Sequence, residues 1–216
     1  MRKEWTETTL GEIAEWFSGG TPKAGKPEFY EGGDIPWVVI ADLMKTEIYE
    51  TATCITAAGL SQIGGRLAPV GSVLISMYAT VGRPGIAHVP VATNQAIAWS
   101  VPNPKLIESR FLLLVAQSLE VEISSMARGA TQRNINRAML REFKFLLPPL
   151  IEQKRIVDVV TSVDTYIHSL TASPSEIRAT LDIVSTARRL RSALLADLLS
   201  GNHEIPASYD SLIGDA

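Results

Sequence analysis

Pro148-Pro-Leu-Ile-Glu-Gln-Lys-Arg-Ile156-Val-Asp-Val-Val160-Thr-Ser-Val163-Asp-Thr-Tyr-Ile167-His-Ser-Leu170 is the stretch on which the fold turns. Its apolar residues Ile156, Val160, Val163, Ile167 and Leu170 recur at 4-3-4-3 spacing, the heptad seam of a helix that packs along its length on another. Ser173-Pro174 interrupts the seam, with proline suited to a first helical position and serine to the cap before it. A second helix is predicted to carry Ile177, Leu181, Val184, Leu190, Leu194 and Leu198 as far as the stop at Gly201. Its seam slips where Arg188 and Arg191 fall. At 1.5 Å per residue each helix would run ~33–40 Å, more than a small domain needs as cover. The pair is therefore expected to be an association element, against the plainer reading that both helices pack on their own domain.

Upstream, to about residue 149, short apolar runs are punctuated by Gly and Pro. Thr9-Leu-Gly-Glu12 matches a capping box. Ala14 to Ser18 runs into the breaker Gly19-Gly-Thr-Pro22. Ile35–Ile40, Ser72–Met77, Gly85–Val89, Ala96–Val101 and Phe143–Leu147 read as strands, and Ser109–Ser125 and Asn134–Arg141 as helices. The fold class expected is α+β: a mixed globule over 1–149, an antiparallel helical region over 150–201 and a tail over 202–216.

Composition narrows the function. Hydrophobic residues make up 46% and charged residues 20%, the balance of a folded chain, and no stretch approaches the ~20 apolar residues of a membrane span. With a single cysteine, Cys54, and no apolar leader after Met1, a cytoplasmic protein without disulfides is expected. The net charge of −3 argues against a simple nucleic-acid binder, but residues 126–155 hold seven basic side chains against two acidic ones.

Catalytic patterns fail one by one. Leu147-Pro-Pro-Leu150 lacks the polar and aromatic flanks that hold a flipped base for methyl transfer. The nuclease-like triplets Glu142-Phe-Lys144 and Glu152-Gln-Lys154 have no upstream Pro-Asp to supply a second metal carboxylate. No phosphate-cradling glycine loop is present, and Cys54 with the scattered His88, His168 and His203 cannot make a zinc site. The chain is expected to be non-catalytic and to hold no cofactor or metal.

In order, Trp5…Thr9-Leu-Gly-Glu-Ile13, Gly19-Gly-Thr-Pro22, Gly33-Asp-Ile-Pro-Trp37, Ala92-Thr-Asn-Gln95, Gly129-Ala-Thr-Gln132, Leu147-Pro-Pro-Leu-Ile-Glu-Gln-Lys-Arg-Ile156 and Leu194-Leu-Ala-Asp-Leu-Leu-Ser-Gly201 resemble the specificity (S) subunits of type I restriction–modification enzymes. Each motif is weak alone; seven in register, over about residues 5–201, are specific. Members usually carry two target recognition domains and two helical regions, whereas this chain has one of each. The resemblance implies a recognition domain that reads one half of a bipartite double-stranded DNA target, and helices that space the domains and dock methyltransferase subunits. Those subunits would hold S-adenosylmethionine, and an endonuclease subunit would bring ATP and Mg²⁺. A coiled-coil adaptor or remnant that dimerises without reading DNA is the alternative.

Candidate DNA contacts follow. Arg128, Thr131, Gln132, Arg133 and Asn134 lie before an expected helix whose start, with Thr131 as cap, would offer a phosphate site. Thr21, Lys23 and Lys26 sit on a Gly/Pro-rich loop, of a kind that can enter a groove or be a plain surface loop. Tyr78, Thr80 and Arg83 occupy a tight turn after a strand. Asn94 and Gln95 have adenine-matching amide edges, or serve the fold. Ile156, Val160, Val163, Ile167, Leu170, Leu181, Val184 and Leu194 are the expected seam of a homodimer. Identical domains would then read a palindrome with an unread spacer; a partner carrying a different domain would break that symmetry.

Overall fold

The structure, a computed structural model, describes residues 4–129, 134–171, 177–202 and 205. The chain divides into two compact units, Thr8–Phe145, and Met1–Glu7 with Leu146–Ala216. The class is α+β, as the sequence implies. The first strand β1 (Thr6–Thr9) and the last, β10 (Lys144–Leu147), pair as a two-stranded sheet where the chain passes between the units.

Thr8–Phe145 is built on a five-stranded sheet of β2 (Ala14–Ser18), β4 (Glu47–Ile48), β6 (Val73–Ser76), β7 (Pro84–Ala87) and β9 (Ile97–Pro102), in the order β2-β9-β6-β7-β4. All neighbours are antiparallel except β7 and β4. A smaller sheet, β5-β3-β8, joins β3 (Ile35–Val38), β5 (Cys54–Ile55) and β8 (Ala92–Thr93). The strands are short because Gly, Pro and Asn interrupt every apolar run. Val38, Leu43, Ile48, Leu74, Ile97 and Trp99 form one core cluster, and Trp37, Ile55 and Ala92 a second. Among the described residues four α-helices accompany the sheets: α1 (Leu10–Ile13), α2 (Ala57–Gln62), α3 (Ser109–Gly129) and α4 (Arg137–Arg141). On α3, Phe111, Leu112, Val115, Leu119 and Ile123 are buried, so the face read from the sequence is the core face.

Two sequence expectations shift. The helix expected from Asn134 starts at Arg137 and is capped by Asn136, whose Oδ1 accepts from the Met139 amide at 2.9 Å. Gly129 is the last residue of α3. The Ala130–Arg133 segment, with Thr131 as the expected cap, lies outside the described residues; the cap that the structure shows is Asn136. The run Ile35–Ile40 is strand only to Val38; Asp42 then accepts from the Val39 amide and turns the chain into a 3-10 helix.

The second unit is a helical hairpin, α5 (Leu150–Thr171) with α6 (Ile177–Leu199), 22 and 23 residues long. Ile156, Val160 and Ile167 of α5 and Val184, Leu195 and Leu198 of α6 are buried. Trp5 joins them from the chain start: its indole Nε1 donates to Glu152 Oε2 at 2.8 Å, and its ring lies against Gly201, whose φ of 70° ends α6. Residues 4–7 and 146–149 therefore group with the helices, so the unit begins a few residues before the boundary at 149 that the sequence implies.

The heptad seam is occupied within one chain. Ile156, Val160, Ile167 and Val184 cannot also be a free dimer surface, which corrects their assignment. Val163, Leu170 and Leu194 are half-buried. The side chain of Leu181 and the Ser173-Pro174 cap lie outside the described residues. Heptad spacing reports a packed stripe but not which helix fills it.

Candidate nucleic-acid interface

Sheet register decides where the candidate segments meet. Ser18 pairs with Ala98, and Ser76 with Ile97. The chain therefore leaves β2 toward Gly19, leaves β6 toward Tyr78 and enters β9 from Asn94-Gln95-Ala96 at one end of the five-stranded sheet. Met77 holds this arrangement, its amide donating to Ala96 O at 2.7 Å and its carbonyl accepting from the Ile135 amide at 3.1 Å. Asn134, beside Ile135, thus falls at the same end. Thr131, Gln132 and Arg133 lie outside the described residues, as does the side chain of Arg128.

The Gly19–Lys23 loop is held from several sides. A Cβ on Gly19 would come within 1.7 Å of the Thr93 carbonyl oxygen, so only glycine allows this approach. The Gly20 amide donates to Thr93 O at 3.0 Å, and Trp37 Nε1 donates to Gly20 O at 3.1 Å. The Tyr30 hydroxyl donates to Pro22 O at 2.6 Å. Thr21 donates its hydroxyl proton to Gln95 Oε1, and the Lys23 amide donates to Gln62 Oε1 at 3.2 Å. A loop tied this often is preorganised, the condition under which exposed side chains can select a partner. Thr21, Lys23, Lys26 and Gln95 are exposed, and Lys26 pairs with Glu28 at 3.8 Å.

At the β6–β7 turn, Tyr78 and Thr80 are exposed. The turn needs two left-handed residues, Ala79 at φ 54° and Gly82 at φ 91°, and Ser76 Oγ accepts from the Arg83 amide at 3.0 Å. Arg83, the third candidate in this turn, lies with its Nε 3.9 Å from Glu120 Oε1 and its side chain 30% exposed. Asn94 spends its side-chain oxygen on the Ala96 amide at 3.0 Å, so part of its role is to shape the turn into β9.

Sequence reading missed Gln62 and Arg66. Gln62 ends α2, before the turn at Gly64 (φ 98°) and Gly65 (φ 71°), and Arg66 follows with its guanidinium 5.1 Å from the centre of the Phe17 ring. Phe17 in turn stacks on Trp99 at 4.5 Å. Gly64-Gly65 is a turn signal in the sequence, but only the fold brings Gln62, just before it, to the Lys23 amide.

A mixed recognition-type domain with its loops gathered at one sheet end, joined to a helical hairpin, defines the class. The chain belongs to the family described as type I restriction modification DNA specificity domain, which matches residues 2–179. It is 30% identical over 180 residues to the type I restriction enzyme EcoR124I/EcoR124II specificity subunit of Escherichia coli, covering 81% of this chain and 44% of the relative. A chain of the solved structure described as "Structural basis underlying complex assembly and conformational transition of the type I R-M system" superposes with a TM-score of 0.67 at 25% identity, over 94% of this chain and 47% of that one. The HsdS subunit from Thermoanaerobacter tengcongensis shares the fold, with a TM-score of 0.65 at 24% identity over 94% and 46%. The chain spans less than half the length of these relatives.

Proposed function

We propose that this chain supplies DNA sequence recognition to a type I restriction–modification assembly and performs no chemistry itself. The observation that carries this is the convergence of Thr21, Lys23, Tyr78, Thr80, Asn94, Gln95 and Asn134, from four segments, at one sheet end, with the Gly19–Lys23 loop among them tied from several sides. Loops on a rigid scaffold can enter a major groove, with Lys23 and Arg66 drawing phosphate and the amides and hydroxyls facing base edges. The domain would read one half of a bipartite double-stranded target.

The hairpin would serve as spacer and docking platform for a methyltransferase subunit, and through it an endonuclease subunit. S-adenosylmethionine, ATP and Mg²⁺ belong to those partners in this reading. A second half-site needs a second recognition domain, supplied by another copy of this chain or by a chain of the same family. Pairing would use a stripe beside the internal seam: Val159, Val163, Tyr166 and Leu170 on α5, and Ile183, Ala187, Leu190 and Leu194 on α6. Both sets repeat at 4-3-4 spacing, and at 100° per residue on antiparallel helices they face the same side of the hairpin. Tyr166, Ile183 and Leu190 are 62%, 53% and 65% exposed. Helices of this length separate two domains by about one turn of B-DNA, ~34 Å.

The test is methyl transfer from S-adenosylmethionine by a type I methyltransferase subunit, with and without this chain, on a random-sequence DNA pool. Modification confined to one interrupted sequence, and only when the chain is present, is expected. Unchanged modification, or methyl transfer by this chain alone, contradicts the reading.

A further inference from the structure

Arg66 ends on an aromatic pair that belongs to the sheet. Its guanidinium carbon lies 5.1 Å from the centre of the Phe17 ring, and Phe17 stacks on Trp99 at 4.5 Å with 28° between the ring planes. Phe17 and Trp99 stand directly opposite each other on β2 and β9, so their side chains share one face. Trp99 is 4% exposed within the larger core cluster, Phe17 is half-buried and Arg66 is exposed. The three side chains thus run from the core to the surface and end in a cation.

The backbone that carries Arg66 is fixed on both sides. Before it, the Gly65 amide donates to Leu60 O at 2.9 Å; after it, Ala68 and Val91 exchange two backbone hydrogen bonds, at 2.8 and 3.0 Å. Arg83, Arg110 and Arg191 each lie beside a carboxylate, whereas Arg66 has none among the described residues. An aromatic ring attracts the cation through its quadrupole but offers no oxygen acceptor, so the guanidinium fork stays available to an oxyanion.

Position selects the oxyanion. Phe17 lies two residues before Gly19, which sets the guanidinium back by roughly 7 Å of strand from the loops gathered at the sheet end. Where loops enter a groove to reach base edges, the phosphates of the backbone rim that groove beside them. Lys23 is exposed on the same side, its amide held by Gln62 just before the turn that leads to Arg66.

We propose that Phe17 is a positioning residue that holds Arg66 as a fixed two-donor clamp on one DNA phosphate, flanking the base-reading loops. This rests on the DNA-reading function proposed above.

The full chain, co-expressed with a type I methyltransferase subunit, is titrated across a salt series on a duplex enriched from a random pool and on an unrelated duplex. Arg66→Ala should weaken both duplexes alike, by roughly tenfold. It should also lower the slope of log affinity against log salt by about 1. Arg66→Lys keeps the charge and should restore the slope, but not the full affinity, because an ammonium lacks the fork. Phe17→Leu should weaken binding roughly two- to fivefold, while Phe17→Tyr, which keeps the ring face, should match the parent. In an Arg66→Ala background Phe17→Leu should change nothing further, a result that lost packing alone does not give. Thermal melting checks that each variant folds, and Phe17→Met replaces Phe17→Leu in the same cycle if leucine unfolds the domain. Arg66→Ala binding like the parent overturns the proposal. So does a loss confined to one base position of the enriched site, which marks a guanine contact, and so does an additive double variant, which marks Phe17 as packing only. If the parent complex enriches no sequence, the DNA-reading function itself falls, and the clamp with it. An enriched parent site with unaltered variants sinks only the clamp.

Discussion

Arg191 of α6 grips Asp164 of α5 with both ends of its guanidinium: Nη2 donates to Oδ2 at 2.8 Å, and Nε donates to Oδ1. The two residues are 27 positions apart, and the pair fixes α6 antiparallel to α5 in one register. Arg191 is where the second heptad seam slips in the sequence. The break is the point at which an ion pair replaces an apolar contact between the same two helices.

This arrangement separates stability from association. Ile167→Ala empties a buried position between α5 and α6 and should cost about 2–5 kcal/mol, read as a lower melting temperature and lost helicity. Ile183→Glu with Leu190→Glu alters exposed positions, so the melting temperature should hold to within about 0.5 kcal/mol per site. Light scattering of the parent at micromolar concentration should report a dimer, and the double variant a monomer. A parent that is monomeric at every concentration contradicts the second stripe as a pairing surface.

The close approach of Gly19 to Thr93 gives a prediction for the loop. Gly19→Ala must push the loop off the β8 end, at about 1–3 kcal/mol of overpacking strain. Loss of DNA affinity should accompany it, whereas Gly25→Ala, at φ 72° but in open space, should strain the backbone with a smaller effect on binding. Equal binding by parent and Gly19→Ala would mean that the loop is not part of the reading surface.

Much of the fold was legible because periodicity is local. The α3 core face, the strands β6, β7 and β9 and the change of grammar at Pro148-Pro149 all followed from spacing and breakers within a few residues of each other. The partner of a stripe is not local: Ile156 and Val184 carry the same pattern whether they meet in one chain or two. The candidate surface was half legible. Thr21, Lys23, Tyr78 and Gln95 could be singled out by residue type on loops, but that Thr21 bonds Gln95, that Gln62 holds the Lys23 amide, and that Glu120 lies beside Arg83 depend on contacts 37 to 74 positions apart, which no motif encodes.

Asn136 provides a direct check on the corrected helix start. Asn136→Ala removes the side-chain acceptor of the Met139 amide and should cost about 1 kcal/mol, read by thermal melting. Asn134→Ala, outside the cap, should cost less. The reverse order would restore the earlier start expected from the sequence.

Glu12 should titrate abnormally. The Thr8 hydroxyl and the Thr9 amide both donate to its carboxylate, each at 2.9 Å, and hold its pKa below the usual glutamate value. Because the folded pKa is lowered, the bonds stabilise the fold above the unfolded pKa, and that contribution disappears as pH falls through the folded one. Carboxyl NMR should show Glu12 titrating below an ordinary exposed glutamate, and Thr8→Ala should move it upward. No movement would mean that the Thr8 bond is not formed in solution.

Site-specific photocrosslinking tests the central claim most directly. A photoreactive side chain at Gln95 or Tyr78, at the gathered loops, should crosslink to bound duplex DNA, while one at the exposed Tyr49, beyond the other end of β7, should not. Crosslinking from position 49 with none from 78 or 95 would place DNA on a different surface and contradict the account.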